Sequence, residues 1–365
     1  MKKALIAVAV LGAFAGSAMA ADVTLYGKID LGLNYQHSKT GDAAATDKFQ
    51  EYSGQNSGSR FGLKGTEDLG NGMKVGFVLE NGFKADTGNL GVEKKLFDRE
   101  AQLFLTSDYG TLSMGRVGSF ASGLGTYNLN TFMAMSTGWG DYASKLSSFG
   151  LSRARYDNMV TYQTPRFAGV CVSAQYSFAN SGDEAVHTAQ NERYAGLGVD
   201  YKNGAFAAGL IVDSILNKNT NKASEKQNTE DSLGVTLGAS YDFEVVKVFG
   251  LAQYGKNENS FGKFKDENKT KNEGVNGYMV QLGLTAPVLG GTAYATVNYS
   301  DAETEIDSKA DWKAYGVAVG YSYPFSKRTF AYTYAGYNEL KPTDATDVEE
   351  KTKQTEFGFG IVHSF

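Results

Sequence analysis

A period-two alternation of apolar and polar residues recurs along this chain and limits what it can fold into. In the first such segment the apolar positions are Val23, Leu25, Ile29, Leu31, Leu33 and Tyr35. Segments 232–243 and 329–334 repeat the pattern. Successive side chains of a β-strand point to opposite faces of the sheet, so this period predicts strands with one apolar and one polar face. Apolar residues at helical spacing are not sustained over several turns, and we therefore predict an all-β fold.

The length of the alternating segments indicates their environment. Each runs for about ten residues with Tyr or Phe near its ends, which is the length of a tilted strand that crosses a bilayer. Two packed sheets of a water-soluble protein do not need strands of this kind. We therefore predict a transmembrane antiparallel β-barrel.

Short and long connections alternate between the segments. Turn signals fall at 69–72, 109–110, 165–167, 203–204, 244, 287–290 and 324–327. Longer connections fall at 38–58, 85–95, 118–154, 179–190, 217–230, 257–273, 301–309 and 340–352, and all but 118–154 are polar. This alternation predicts about 16 strands, with both chain ends on the short-turn side, which is the periplasmic side of such barrels.

The amino-terminal segment is predicted to be removed before folding. Lys2 and Lys3 precede an apolar run over 4–15, and small residues lead up to Ala20. This is the organisation of a secretory signal peptide, and a membrane anchor would need a longer run of about 20 apolar residues. We predict a signal peptide over 1–20 and a single barrel domain over 21–365. The mature chain carries 33 basic and 40 acidic residues, a formal net charge of -7.

Composition excludes several classes of function. One cysteine, Cys171, permits no internal disulfide and no cysteine-based metal cluster. The histidines His37, His187 and His363 are too far apart in sequence for a ligand pair at helical or hairpin spacing. No long basic run appears, which disfavours nucleic-acid binding. We therefore expect no metal, no cofactor and no nucleic-acid partner.

Charged residues inside the predicted strands indicate a polar lumen. A Lys or Arg in hydrocarbon costs about 2 to 4 kcal/mol, so these side chains should point inward. The cations of the first five predicted strands are Lys28, Arg60, Lys74, Arg99 and Arg116. The parity of Arg99 is ambiguous, because Phe97, Leu103 and Leu105 share its register. As a set these cations favour an aqueous path, although Asp30 and Glu80 are available to neutralise individual members.

The 118–154 connection differs from the others because it is apolar. Its aromatic residues are Phe120, Tyr127, Phe132, Trp139, Tyr142 and Phe149, and Asp141 is its only acid. A long apolar connection needs cover from water. We expect it to fold into the barrel as a constriction, with Asp141 and Lys145 facing the basic wall. Packing on a neighbouring subunit is the alternative.

Several motifs resemble the trimeric general porins of Gram-negative outer membranes. They are Tyr26-Gly27-Lys28, the run from Ser59 to Gly72, Gly115-Arg116, the run from Arg155 to Asn158, and His363-Ser364-Phe365. The resemblance implies a sixteen-stranded homotrimeric barrel with an inward third extracellular loop and passive diffusion of small hydrophilic solutes and ions. Lys28, Arg60 and Arg99 match the family's basic constriction wall, and Arg155 lies where the chain re-enters the barrel. An acidic Pro-Glu-Phe-Gly-Gly type motif, common in that loop, is absent here, so the family's common cation preference is not expected to carry over. The predicted lumen cations instead indicate a weak anion preference, because low-dielectric walls focus their field.

The last strand carries a separate signal. One face is formed by Phe357, Phe359, Ile361, His363 and Phe365. In the porin family such a strand resembles the recognition signal for the barrel-assembly machinery. The resemblance also implies a location in the outer membrane, surrounded by its lipid and lipopolysaccharide.

Other functions stay open as alternatives to a general channel. A sugar-specific channel is one, because aromatic residues of the 118–154 connection could form a stacking path. An outer-membrane barrel enzyme would need a Ser/His or Asp/His constellation near the rim, where only His37 and His187 are available. A structural or adhesive barrel would have a blocked lumen.

Removal of the signal segment is directly measurable. We expect the protein purified from membranes to begin at Ala21, because the small residues before it fit the cleavage site of signal peptidase. Intact-mass spectrometry tests this, and a mass that retains residues 1–20 would contradict it.

Overall fold

The computed structural model describes residues 23–135, 137–143, 146–182, 184–185, 187, 190–217, 230–264, 274–304, 310–343 and 350–365. The strands are β1 (Thr24–Thr40), β2 (Thr46–Ser53), β3 (Arg60–Gly70), β4 (Met73–Gly82), β5 (Glu100–Ser107), β6 (Gly110–Gly118), β7 (Arg155–Gln163), β8 (Val170–Ser177), β9 (Arg193–Asn203), β10 (Phe206–Leu216), β11 (Leu233–Asp242), β12 (Lys247–Glu258), β13 (Val275–Val288), β14 (Gly291–Thr304), β15 (Asp311–Pro324), β16 (Thr329–Thr343) and β17 (Thr352–Ser364). A short 3-10 helix, Leu146–Ser148, lies between β6 and β7. None of the helical structure in these ranges has the length and hydrophobicity of a membrane-spanning helix. The predicted signal peptide, 1–20, lies outside the described residues.

The strands form one closed antiparallel barrel. Each strand from β3 onward pairs with the next, and β17 returns to pair with β1 from Thr40 opposite Thr352 to Lys28 opposite Ser364. On its other side β1 pairs with β2 along Leu31–Ser38 and with β3 along Thr24–Lys28. The 17 strands therefore occupy sixteen positions around the barrel, because β2 and β3 share one. The predicted strand number is confirmed.

One predicted connection is wrong. The sequence placed a loop at 38–58, but β1 continues to Thr40 and β2 occupies Thr46–Ser53. The polar residues of this stretch gave no alternating pattern from which strands could be predicted. This part of β1 and β2 extends beyond the apolar band of the barrel, where side chains on both faces of the sheet meet water. The true interruption is 54–59, between β2 and β3.

The outer and inner faces of the wall differ as the alternation predicts. Large apolar side chains point outward, and Leu103, Leu197 and Leu282 are 60%, 63% and 64% exposed. In water a continuous band of such side chains would drive aggregation, whereas in a bilayer it faces lipid. The opposite face buries polar residues such as Asn34 and Gln281.

The 118–154 connection packs against the polar face of the wall. Each of the three buried apolar clusters contains its residues, with Phe120, Phe149 and Trp139 as examples. Glycines of the wall make room for them. A Cβ at Gly238 would overlap Phe132, and a Cβ at Gly316 would overlap Phe149. These two glycines therefore allow close approach of the connection to the wall.

The barrel closes where Phe365 packs on Gly27. The two residues exchange backbone hydrogen bonds of 3.0 and 3.1 Å, and a Cβ at Gly27 would overlap the Phe365 ring. This explains why Gly27 is the small residue on the apolar face of β1.

We expect Gly27→Leu to destabilise the refolded barrel by about 1 to 3 kcal/mol, because the new side chain displaces the Phe365 ring. Denaturant unfolding in lipid vesicles measures the loss. Thr355→Leu, which adds the same side chain to the exposed face of β17, should have little effect. Adding Phe365→Ala should remove part of the Gly27→Leu penalty; an undiminished penalty in that double variant would contradict the proposed overlap.

Candidate functional site

Four cations gather around one carboxylate on the polar face. Arg99 Nε lies 2.6 Å from Glu80 Oε1, and Arg60 Nη1 lies 3.8 Å from the same oxygen. The Tyr26 hydroxyl donates to Glu80 Oε2 at 3.0 Å. Arg155 interacts electrostatically with Arg99, Glu80 and Arg60, and Lys28 with Arg60 and Arg99. We call Lys28, Arg60, Arg99 and Arg155 the cation cluster.

The interruption between β2 and β3 positions part of this cluster. Arg60 donates to Ser57 Oγ at 2.8 Å and to the Gly58 carbonyl oxygen at 2.9 Å. Lys28 Nζ lies 3.5 Å from Ser57 Oγ. Asp30 fixes the interruption itself, because its Oδ2 accepts the backbone N–H groups of Asn56 and Ser57 at 2.8 and 2.7 Å.

The acids near the cluster are more deeply buried than the cations. Asp30, Glu80, Asp98 and Glu100 are 0%, 9%, 7% and 4% exposed. They are engaged in hydrogen bonds inside the wall: Gly82 N–H donates to Asp98 at 2.6 Å, and Thr126 donates its hydroxyl to Glu100 at 2.8 Å. All four members of the cation cluster are partly exposed. The contrast is small within the Arg99–Glu80 pair, whose side chains are 12% and 11% exposed, and larger for Arg60, whose side chain is 23% exposed.

Two predicted cations lie in local structure that the alternation could not resolve. Arg99 was assigned to a strand, but it precedes β5, which begins at Glu100. The direction of its side chain, which reaches Glu80, is therefore not set by the alternation of a strand. Arg116 lies at a register shift between Gly115 and Val117, and its Nη1 pairs with Asp157 Oδ1 at 2.5 Å. Lys95 Nζ holds the other oxygen of Asp157 at 2.7 Å, so Arg116 belongs to a neighbouring ion-pair group.

The remaining predicted residues lie apart from the cluster. Lys74 shares the inner face with Glu80, but six residues of strand separate them, about 20 Å. Lys74 is exposed beside the short turn at Gly72. Asp141 Oδ2 accepts a hydrogen bond from the Tyr52 hydroxyl at 3.1 Å. Lys145 lies outside the described residues.

Glu356 anchors the middle of the 118–154 connection. Its Oε2 accepts the backbone N–H groups of Asp141, Tyr142 and Ala143 at 2.8, 2.6 and 3.3 Å. Its other oxygen accepts from Asn34 and from Gln36. Sequence reasoning missed this role, although an acid at an inward position of the glycine-rich strand β17 was an available signal.

Arg153 anchors the end of the same connection. Its guanidinium donates to Asp213 on β10 at 2.8 Å and makes two bonds of 2.7 Å to Glu258 on β12. The side chains of all three residues are 2% to 3% exposed. The Tyr194 hydroxyl also donates to Asp213 at 3.3 Å. Full burial of this ion-pair group means that Arg153 fixes the connection and does not face the aqueous path.

The aromatic residues of the connection are largely buried against the wall. Phe120 and Phe149 are 0% exposed, and Tyr127, Phe132 and Trp139 are each 4% exposed. These five rings are not available for stacking on a passing sugar, whereas Tyr142 is partly exposed, with Lys263 Nζ 4.8 Å from the centre of its ring. The His37 ring contacts Asp47 at 2.9 Å and has no serine hydroxyl among its hydrogen-bond partners in the described ranges.

A closed antiparallel barrel with an apolar exterior and a charged, polar interior defines a membrane-spanning β-barrel pore. A profile of the Gram-negative porin family matches residues 7–343. The chain belongs to the Gram-negative porin family. It is an outer-membrane porin, a channel protein rather than an enzyme.

Individual relatives agree with this assignment. An outer membrane porin protein of Bordetella pertussis is 35% identical, with 100% of both chains covered. An anion-selective porin from Comamonas acidovorans has a solved structure with a TM-score of 0.68 and 28% identity, over 95% of this chain and 100% of that one. The trimer form of OmpT from Vibrio cholerae shares the fold alone, with a TM-score of 0.62, 17% identity and coverage of 95% of this chain and 100% of that one.

We expect Arg153→Gln to destabilise the protein by about 3 to 5 kcal/mol, because it leaves Asp213 and Glu258 buried without their partner. Denaturant unfolding in lipid vesicles measures the effect. Lys95→Gln is the matched control: Lys95 is 37% exposed and Asp157 keeps Arg116, so the loss should stay near 0 to about 1 kcal/mol. Equal losses in the two variants would show that the buried group does not hold the connection.

Proposed function

We propose that this porin forms a water-filled channel for passive diffusion of small hydrophilic solutes and ions, with a weak preference for anions. The selective element is the cation cluster. The 118–154 connection faces it from inside the barrel and narrows the path. The unequal burial of cations and acids is the observation that carries the proposal.

Burial decides which charges a passing ion meets. The formal charges of the four cations and of the four acids Asp30, Glu80, Asp98 and Glu100 cancel. Asp30, Asp98 and Glu100, however, are buried and hydrogen-bonded within the wall, whereas the cations are partly exposed. Glu80 is as exposed as Arg99 but is already paired with it. An ion in the path therefore approaches positive groups first, and the acids behind them weaken the attraction. A weak anion preference follows, not a strong one.

The shape of the channel increases the effect of these few charges. Low-dielectric walls around a narrow aqueous path focus the field of nearby groups. Acids on exposed connections, such as Glu350, contribute little because charges beyond about 8 to 10 Å are screened at physiological salt. The net charge of the mature chain therefore does not set its selectivity.

The solved relative supports this assignment. The Comamonas acidovorans porin is described as anion-selective, and it is 28% identical to this chain. A sugar-specific channel is less well supported, because five of the six aromatic rings of the 118–154 connection pack into the wall and only Tyr142 is partly exposed.

We further propose that the mature chain, residues 21–365, assembles as a homotrimer. OmpT, which shares the fold, is described in a trimer form.

The exposed face of Phe357, Phe359, Ile361, His363 and Phe365 suits recognition by the barrel-assembly machinery before it meets lipid. Lipopolysaccharide is the proposed lipid partner on the outer side.

We expect Lys28→Glu to shift the ion selectivity toward cations, with a change of at least about twofold in the ratio of anion to cation permeability. Lys28 is chosen because its only hydrogen bond within the described residues is the long one to Ser57. The measurement is the reversal potential of single channels across a potassium chloride gradient.

Lys74→Glu is the matched control for this experiment. It changes the same charge on the same face of the wall, about 20 Å away along β4, and should leave the reversal potential nearly unchanged. Equal shifts from both variants would assign selectivity to overall charge. Clear cation selectivity in the unmodified channel would refute the proposed constriction.

A further inference from the structure

The 54–59 segment, which interrupts the wall between β2 and β3, supplies uncharged hydrogen-bond acceptors to the cation cluster. Ser57 Oγ accepts a hydrogen bond from Arg60 Nη2 at 2.8 Å and lies 3.5 Å from Lys28 Nζ. The Gly58 carbonyl oxygen accepts a second hydrogen bond from Arg60, at 2.9 Å. The positions of two cations of the cluster therefore depend on where this segment lies.

The same segment is fastened to the 118–154 connection. The carbonyl oxygen of Gln55 accepts the backbone N–H groups of Trp139 and Gly140, at 2.5 and 2.9 Å. The Gln55 side chain is 1% exposed, and its Oε1 accepts the Tyr334 hydroxyl of β16 at 2.7 Å. Gln55 thus joins the connection, the segment and the wall.

The next residue of the segment packs closely on the connection. A Cβ at Gly138 would overlap the carbonyl oxygen of Asn56. On the other side, the backbone N–H groups of Asn56 and Ser57 donate to Asp30 Oδ2, while Asp30 Oδ1 accepts the Tyr332 hydroxyl at 2.6 Å. The place of Ser57 is therefore set by the connection on one side and by Asp30 on the other.

The uncharged acceptors of the segment keep Arg60 apart from Glu80. Arg60 Nη1 lies 3.8 Å from Glu80 Oε1, whereas Arg99 Nε lies 2.6 Å from the same oxygen. A carboxylate is a stronger acceptor for a guanidinium than a hydroxyl, because the hydrogen bond between two charged groups is stronger. Without the Ser57 hydroxyl, Arg60 turns toward Glu80, and less of its positive charge remains available to an ion in the path.

We propose that the 54–59 segment couples the 118–154 connection to the cation cluster, so that Ser57 and Gly138 determine ion selectivity although neither carries a charge. The proposal rests on the function proposed above, in which the cluster selects the ions. Ser57 is a positioning residue, because it holds two cations of the cluster in place. Gly138 acts through the segment, because its lack of a side chain lets the connection lie against it.

The test compares reversal potentials of single channels across a potassium chloride gradient for variants that change no charge at Ser57. We expect Ser57→Ala to lower the ratio of anion to cation permeability by about 1.5-fold or more, because Arg60 then pairs more closely with Glu80. Ser57→Thr keeps the hydroxyl and should restore the selectivity of the unmodified channel. In a Glu80→Gln background Ser57→Ala should have little effect, because the carboxylate that attracts Arg60 is gone.

Gly138→Ala tests the coupling from the side of the connection. The new methyl group displaces the Asn56 carbonyl and moves the adjoining Ser57 hydroxyl away from the cations, so we expect a shift in the same direction as that of Ser57→Ala. Gly150→Ala is the matched control: it lies in the same connection, but its Cβ would overlap side chains of β12 and β13 instead. It should leave the reversal potential nearly unchanged. Neither glycine has a positive φ, so alanine brings no backbone strain at either position.

Three outcomes would overturn the proposal. One is an unchanged reversal potential in Ser57→Ala. The second is a shift in Ser57→Thr as large as that in Ser57→Ala, which would show that the hydroxyl is not responsible. The third is an equal shift from Gly138→Ala and Gly150→Ala, which would indicate a general loosening of the connection. If Gly138→Ala forms no channels, the two Ser57 variants decide the proposal by themselves.

Failure of the proposed function gives a different result. Clear cation selectivity in the unmodified channel would refute the anion preference, whereas a shift in Ser57→Ala that is absent in Ser57→Thr would still show the coupling. An anion-selective channel that does not respond to Ser57→Ala would refute the coupling and leave the proposed function in place. The formation of conducting channels shows in each case that the variant is folded.

Discussion

The absence of water in the bilayer interior is the constraint on which this structure depends. Every backbone N–H and C=O group at membrane depth needs a partner within the protein, and a sheet meets this need only if it closes. The first strand, β1, therefore pairs with the last strand, β17, over most of its length. Its other edge is completed by β2 and β3 together. Gly27 serves the same closure, because the Phe365 ring packs over it where β1 meets the end of the chain.

The interior needs another source of buried apolar contacts, because the wall turns its large apolar side chains toward lipid. Buried apolar contacts inside the barrel come from the 118–154 connection, which packs on glycines such as Gly238 and Gly316. Carboxylates hold it at two places. Glu356 accepts hydrogen bonds from its backbone, and Asp213 and Glu258 form salt bridges with Arg153. Burial thus separates groups that fasten the structure, Arg153 and its acidic partners among them, from the cation cluster, which is partly exposed on the same face.

The sequence was sufficient for the barrel and insufficient for the details of the site. Alternation, turn signals and strand length predict the sixteen positions, because each depends on residues near one another in the chain. The split between β2 and β3 escaped prediction, since polar residues beyond the membrane do not alternate in hydrophobicity. Arg99 was placed on a strand because the alternation was assumed to continue through it, whereas β5 begins one residue later, at Glu100. The partners of Arg153 lie 60 and 105 residues away, and no local pattern indicates such contacts.

The location of Glu356 has a consequence for the order in which the molecule forms. The acceptor for three amides of the connection is carried by the final strand, only nine residues from the chain end. The connection itself is made of residues from the first half of the chain. It cannot be fastened to Glu356 until the last segment has been synthesised and brought to its place. The amides of Asp141, Tyr142 and Ala143 therefore gain their acceptor only when β17 is in place, and a chain that stops short of β17 lacks this fastening as well as a closed wall.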